Sequence, residues 1–394
     1  MKICILSLYK SENLGEMAYT ECVRKLIQKK LPEAEIELVD IHGRDANKPY
    51  KDSLLVRLFR KLHMTSLEKK YYFASRDAFL LNYYSERVKN ASAVVVPGGG
   101  YIKCTPKSKR DRFYRYNTYF SIMADVCERE NIGFFFNAVG HTINRNEENE
   151  LSAWKKTFSK PAIRYVSCRD ELRFFKAVRE DSQLVCCTAA YAAELFGVNG
   201  RTEKKDPGSV KKIIGIGVIR EDAFNDYGFS VTGDKLLLFY QNLIHSLSDR
   251  GYEVKLFTNG LKRDQLFGER VAESLGRKDI LLPRPEKIED LLNMISEFQG
   301  LIVSRMHAAI IGYSFDIPAV CLCWNNKHRE FLSCAGVPER AIYPDKFDAE
   351  YVTGVLDKSM SEGWPKEQRE KYRLTALKSV DMIIENILPH EEEQ

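Results

Sequence analysis

The sequence predicts an α/β protein of two Rossmann-like domains, each a doubly wound parallel sheet, facing each other across a cleft. Three observations carry that expectation. Short apolar runs alternate with amphipathic helical stretches along most of the chain, the pattern of a parallel sheet with helices on its faces. At 394 residues the chain is longer than one ordinary core organises, so two domains are expected. The stretch 197–212, with Asn199-Gly200, Lys204-Lys205 and Asp206-Pro207-Gly208, has the turn chemistry of a linker. The expected layout is a first domain over 1–198, a linker over 199–212, a second domain over 213–364, and a region 365–394 that crosses back and ends in an acidic tail.

In the first domain the strand-like runs are Lys2–Leu8, Glu35–Ile41, Ala93–Val96, Gly133–Asn137, Tyr165–Ser167 and Leu184–Cys186. Helical patterns over Glu16–Lys30, Arg112–Arg129 and Glu171–Val178 separate them. The second sheet is expected from Ile213–Val218, Glu253–Phe257, Asp279–Leu282, Leu301–Val303 and Ala319–Cys323, before a long amphipathic helix over Pro365–Leu388. Residues 48–90 interrupt the alternation as a basic helical insertion. Within 48–76, lysines and arginines are interleaved with Leu54, Leu55, Val56, Leu58, Phe59 and Leu62. Such a segment could lie on a membrane surface, or its apolar stripe could pack on its own domain with the charges solvated.

Sixty basic against 55 acidic residues leave a net charge of +5, too small for a dedicated nucleic-acid surface and compatible with local pockets for small anions. The ten cysteines are scattered through apolar strands and helices, which reads as reduced thiols in a cytoplasmic protein. No apolar run approaches the roughly 20 residues of a membrane span.

The candidate chemistry sits where apolar strands end. Leu301–Val303 runs into Ser304-Arg305-Met306-His307, a cationic turn opening a small-residue helix, Ala308–Phe315. In an open α/β sheet that place faces the ligand crevice, and the first N–H groups of the helix point the same way. Arginine can grip a carboxylate or phosphate through two parallel hydrogen bonds, and histidine can move a proton near neutral pH. His307 could instead serve only a carbonyl beneath its helix. Arg220 closes the strand Ile213–Val218, another cation at a sheet edge. In the first domain Gly98, Gly99 and Gly100 follow Ala93–Val96, and a tight turn there could bring N–H groups to a ligand or merely reverse the chain. Asn13 and Gly15 set the turn after the first strand. His141 and Arg169 stand at two further strand ends, with Asp170 as a cap or ion-pair partner. There is no Cys-x-x-Cys, no His-Glu-x-x-His and no Gly-x-Ser-x-Gly elbow, so neither a metal centre nor a serine nucleophile is indicated.

Taken in order, Asn13-Leu14-Gly15-Glu16, Val96-Pro97-Gly98-Gly99-Gly100, Ser167-Cys168-Arg169-Asp170, Ile216-Gly217-Val218-Ile219-Arg220, Ser304-Arg305-Met306-His307-Ala308, Pro318 and Asn326-Lys327 resemble the polysaccharide pyruvyl transferase family. The likeness runs from the first strand to about Gly336. It implies a GT-B-like fold and an enzyme that moves the pyruvyl group of phosphoenolpyruvate onto two hydroxyls of a sugar. The product would be a ketal in a capsule, an exopolysaccharide or another cell-surface polymer, or in its lipid-linked precursor. The resemblance implies donor binding by Arg220, Ser304, Arg305 and Lys327, with His307 and Arg305 catalytic. The acceptor would meet Asn13, Gly98, Gly99, Gly100, His141 and Arg169. Phosphoenolpyruvate is the co-substrate, and no cofactor or metal is called for. The expected location is the cytoplasm, with the inner face of the membrane reachable through residues 48–76.

Two features depart from the family pattern. The stretch Asn137-Ala138-Val139-Gly140-His141 stands where a Gly-Gln-Gly turn is usual, and Cys187-Thr188-Ala189-Ala190 replaces an Asp-Pro/Ala sequence. Both are expected in the first domain, on the acceptor side. A third change, Glu16 for aspartate, keeps the charge. A cationic neighbour and a helix amino terminus both disfavour a protonated imidazole, so His307 would gain its proton with the donor's anionic groups in place. The rival readings are a nucleotide-sugar glycosyltransferase of GT-B shape and a non-catalytic anion- or sugar-binding module.

Overall fold

The computed structural model describes residues 1–103, 115–142, 147–200 and 212–388. Most of the expected linker and all of the acidic tail fall outside them. The chain divides into two compact units: Met1–Lys10 with Val23–Val185 and Lys378–Gln394, and Ser11–Cys22 with Cys186–Leu377. Both differ from the expected layout at the same kind of place. Ser11–Cys22 and Cys186–Val198 belong with the second unit, and Lys378–Gln394 with the first.

The first unit is built on β1 (Lys2–Ser7), β2 (Glu35–Asp40), β3 (Ala93–Val96), β4 (Gly99–Lys103), β5 (Gly133–Thr142), β6 (Ile163–Cys168) and β7 (Gln183–Leu184). Its helices are α1 (Leu14–Lys30, from Val23 onward), α2 (Leu54–Lys61), α3 (Thr65–Arg87), α4 (Tyr116–Arg129), α5 (Glu147–Phe158) and α6 (Leu172–Val178). The sheet is parallel in the order β2-β1-β3-β5-β6-β7, with β4 on β5. Cys4, Leu6, Val94, Val96, Phe134 and Phe136 alternate along their strands and pack one face of the sheet against residues such as Tyr84, Phe120 and Trp154.

The glycine tract corrects the sequence expectation. Gly99 and Gly100 lie in β4 rather than in an open turn, so their backbone joins the ladder on β5. Gly98 and Gly99 take φ of 142° and 103°, and the chain steps there from β3 into β4. Meanwhile β5 steps at Ala138 (φ 46°), pairing with β3 through its first half and with β4 through its second.

The second unit adds α7 (Ala192–Phe196), β8 (Ile213–Gly217), α8 (Gly233–Asp249), β9 (Glu253–Phe257), α9 (Lys262–Ser274), α10 (Ile288–Ser296), β10 (Gly300–Val303), α11 (Met306–Ser314), β11 (Ala319–Leu322), α12 (Lys327–Cys334), β12 (Ala341–Ile342) and α13 (Ala349–Glu362). The last helix, α14 (Lys366–Ile387), passes to the first unit after Leu377. The sheet order is β12-β11-β10-β8-β9, all parallel. Along β10, Leu301 and Val303 face one apolar cluster and Ile302 the other, as a sheet covered on both sides requires. Of the expected strand Asp279–Leu282 the first part belongs to a 3₁₀ turn, Lys278–Ile280, and a single parallel bridge joins Leu281 to Leu256 of β9, whose carbonyl accepts the Leu282 N–H. Pro283 and Pro285 follow at once, and proline cannot donate to a ladder. The opposite edge is closed by β12, two residues long and too short for a period to reveal.

Candidate functional site

The strand order of the second unit reverses between β8 and β10, the switch point at which open α/β sheets bind their ligands. Arg220 follows β8, Ser304–His307 follows β10, and Lys327 opens α12 after the neighbouring β11. The four donor-side positions are thus brought to the carboxyl ends of three adjacent strands.

Small residues seat the turn. A Cβ on Gly312 of α11 would lie 2.3 Å from Leu301 Cδ1, so a larger residue here would have to push the Leu301 side chain aside where the helix rests on β10. On its other flank α11 packs against Cys187, Ala189 and Ala190. That departure from the family pattern therefore supports the donor-side helix and does not lie in the first unit. No side chain caps α11, whose N-cap is Arg305.

Ser304 is fully buried and its hydroxyl meets Tyr240 at 3.2 Å. Its carbonyl accepts from Trp324 Nε1 at 2.6 Å and lies 3.0 Å from His328 Nε2. Burial, the dominant influence, lowers His328 to about 4, so the ring is neutral and donates to that carbonyl. Ser304 is accordingly an anchor of the turn, with its side chain turned away from solvent.

Arg305 is held by Asp264, in the first turn of α9, through Nε at 2.8 Å and Nη2 at 2.9 Å. Asp264 is fully buried and also accepts the Arg220 backbone N–H at 3.0 Å. One carboxylate thus ties the β8 and β10 turns together and leaves the Nη1 edge of Arg305 for an anion. Sequence reasoning missed Asp264, which stands 41 residues from Arg305 and carries no local mark of its role. The Arg220 side chain is paired with Asp222 and Asp226, and Asp222 also with Arg263 at 2.7 Å. Trp324, 5.9 Å from the Arg305 guanidinium, and Tyr227, 4.7 Å from the Trp324 ring, form an aromatic wall beside these cations.

His307 is half-buried, and its surroundings come from the segment Ser11–Cys22. The Tyr19 ring lies 5.2 Å away, and a Cβ on Gly15 would stand 2.7 Å from His307 Cβ and 3.0 Å from Nδ1. Asn13 Oδ1 accepts the Gly15 N–H at 3.3 Å, and Asn13 Nδ2 reaches Glu16 Oε1 at 3.4 Å, so Asn13 caps α1. The Leu14 N–H donates to the Asn259 carbonyl, fastening this turn to the end of β9. Asn13 therefore belongs beside His307 in the second unit.

The other acceptor-side candidates lie in the first unit. The His141 ring is buried and stacked 3.7 Å from Phe174, and the His141 backbone N–H donates to Asp170 Oδ1 at 2.6 Å. Arg169 is also buried, with Nε 3.9 Å from Asp170 Oδ2. Gly98, Gly99 and Gly100 follow β3, at the first unit's own reversal between β1 and β3.

Two parallel α/β units with cations at a switch point define a GT-B-like protein. The solved structures it resembles share that fold. UDP-GlcNAc 2-epimerase from Methanocaldococcus jannaschii matches with a TM-score of 0.56 and 10% identity, over 98% of this chain and 100% of that one. A putative UDP-N-acetylglucosamine 2-epimerase from Listeria monocytogenes matches with a TM-score of 0.55 and 12% identity, over 100% and 97%. At such identities the likeness concerns the fold alone. Among curated proteins no significant match is found. The family follows from the sequence itself: the chain belongs to the polysaccharide pyruvyl transferases, whose family model matches residues 13–326.

Proposed function

We propose that the protein transfers the pyruvyl group of phosphoenolpyruvate onto two hydroxyls of a saccharide, forming a cyclic ketal and releasing phosphate. The observation that carries this reading is the Arg305 fork on buried Asp264 beside His307, at the switch point of a chain in this family. Arg305 and Lys327 would take the donor's phosphate and carboxylate, and Arg220 would join them by exchanging Asp222 and Asp226 for the incoming anion.

His307 gives a proton to the methylene carbon, which becomes a methyl group, and C2 gains oxocarbenium character. One sugar hydroxyl adds to C2. The second displaces phosphate, and the protons of the two hydroxyls return to His307 or leave with phosphate. The arginines stabilise the charge that grows on the leaving group, a contribution commonly worth a hundredfold or more. Every role falls to a side chain, and no metal or cofactor enters. The acceptor reading rests on Asn13, which caps the turn beside His307; His141 and Arg169, buried in the first unit, are read as structural. A lipid-linked precursor at the inner face of a membrane, destined for a cell-surface polymer, suits it best.

The test is incubation with phosphoenolpyruvate and a panel of nitrophenyl and lipid-linked glycosides, following phosphate and the mass of the product. Phosphate release with a pyruvylated sugar is expected. Absence of phosphate with every acceptor, with nucleoside diphosphate formed from a nucleotide sugar, would establish the glycosyltransferase instead.

A further inference from the structure

The basic insertion resolves into a helical hairpin with an outward face that the transferase reading does not use. On α2 only Val56 is buried. The helix is held from beneath by Val56, by Phe59 with its ring 5.2 Å from Tyr71, and by Arg60, which pairs with Asp52 and with buried Glu68 at 2.8 Å each. Its other side is apolar and open. Leu54 is 78% exposed, Leu62 55%, Leu58 48% and Leu55 46%, and Met64 continues the exposed row. At about 100° per residue these four leucines share one stripe, with Arg57 and Lys61 along its border. Among the described residues the leucine stripe is left uncovered by its own unit.

Charge surrounds this stripe. Residues 48–70 hold seven basic side chains and two acidic ones, a surplus of five that equals the net charge of the entire chain. Both acids are engaged by Arg60, while Lys48, Lys51, Arg57, Lys61, Lys69 and Lys70 are exposed. A second copy of this face would meet like charge, so self-pairing through it is disfavoured. Among the described residues no helix is long and apolar enough to cross a membrane, which leaves a helix lying in the interface plane.

We propose that α2 docks the protein on a bilayer rich in anionic phospholipid, with Leu54, Leu55, Leu58 and Leu62 entering the acyl boundary and the surrounding lysines and arginines facing the headgroups. Basic residues near such a surface are drawn to the anionic headgroups, and the leucines add apolar burial. The inference goes beyond the pyruvyl-transfer reading and stands or falls without it.

The full chain is to be sedimented with vesicles of phosphatidylcholine containing phosphatidylglycerol, and with phosphatidylcholine alone. Association with the anionic vesicles only, weakened by salt, is expected. Leu54→Ser with Leu58→Ser should lower partitioning about ten-fold, as should Lys61→Gln with Lys69→Gln and Lys70→Gln, while the melting temperature of both variants stays that of the parent. The proposal is overturned if neither vesicle binds, if the leucine variant binds as well as the parent, or if sedimentation velocity shows a dimer that the leucine substitutions dissociate.

Discussion

The two units present the same residue types at strand ends, yet they use them in opposite ways. In the second, Arg305 is locked by Asp264, and His307 remains half-buried at the start of α11. In the first, Arg169 sits beside Asp170, and His141 is buried flat against Phe174. An arginine, a histidine and an aspartate are therefore not a site in themselves. What separates the two groups is exposure, since the Arg305 side chain keeps 15% of its surface open and that of Arg169 only 6%.

The largest effect expected is on turnover. His307→Ala should lower kcat by about 10²–10⁴ and leave the melting temperature nearly unchanged, because a half-buried ring contributes little packing. His141→Ala should do the reverse in part, losing about 1–3 kcal/mol of stability as the stacked pair is emptied. Rates per folded molecule together with urea denaturation separate these outcomes. Equal losses of turnover in the two variants would erase the contrast drawn between the units.

Next comes the buried carboxylate. Asp264→Ala leaves the Arg305 guanidinium without its fork and the Arg220 backbone N–H without its acceptor. A loss of about 3 kcal/mol in stability is expected, with a raised KM for phosphoenolpyruvate. If Asp264→Ala changed neither, Arg305 would not depend on Asp264 for its orientation.

Much of this was legible in the sequence, for identifiable reasons. The strand-turn-helix rhythm and the placement of Arg220, Ser304–His307 and Lys327 at strand ends follow from period and turn chemistry. Other features were not legible, because they arise only when distant segments meet. Asp264 is separated from Arg305 by 41 residues, and nothing in its local sequence marks it as a partner. Ser11–Cys22 reads as the start of a first-domain helix, yet it packs around His307. Gly98–Gly100 reads as a turn because glycine density signals one, whereas β5 is long enough to recruit the tract as a strand.

Each unit also holds a histidine whose titration reports on its packing. Burial chiefly lowers His328 to about 4, and it lowers His42 in the first unit too, against the opposing pull of Asp40. Both are neutral in the folded chain and become charged on unfolding below about 6.5. The unfolded state therefore binds more protons, so stability present above pH 6.5 is lost as the pH falls toward 4. The loss should be up to about 3 kcal/mol for His328. His328→Gln keeps a donor for the Ser304 carbonyl and removes the titration, so its urea midpoint should fall less steeply over that window. An unchanged slope would mean that His328 is already charged in the fold.

The smallest expected effect offers the finest comparison, because each region rests on a glycine. A Cβ on Gly15 would stand 2.7 Å from His307 Cβ, an atom fixed to the α11 backbone, with Nδ1 at 3.0 Å. The imidazole must then tilt or α11 must retreat, at a cost of about 1–3 kcal/mol. A Cβ on Gly140 would meet Asp170 Oδ2 at 2.7 Å and Arg169 Nε at 3.3 Å. Asp170 cannot simply rotate away, since its other oxygen accepts the His141 backbone N–H at 2.6 Å. Gly15→Ala should therefore lower kcat about ten-fold with little change in the KM for phosphoenolpyruvate, because the arginine fork is untouched while the proton donor is displaced. Gly140→Ala should act chiefly on the urea midpoint. If the two substitutions shifted the same parameter, the distinction between a strand end that holds a reactive group and one that fills a core would not survive.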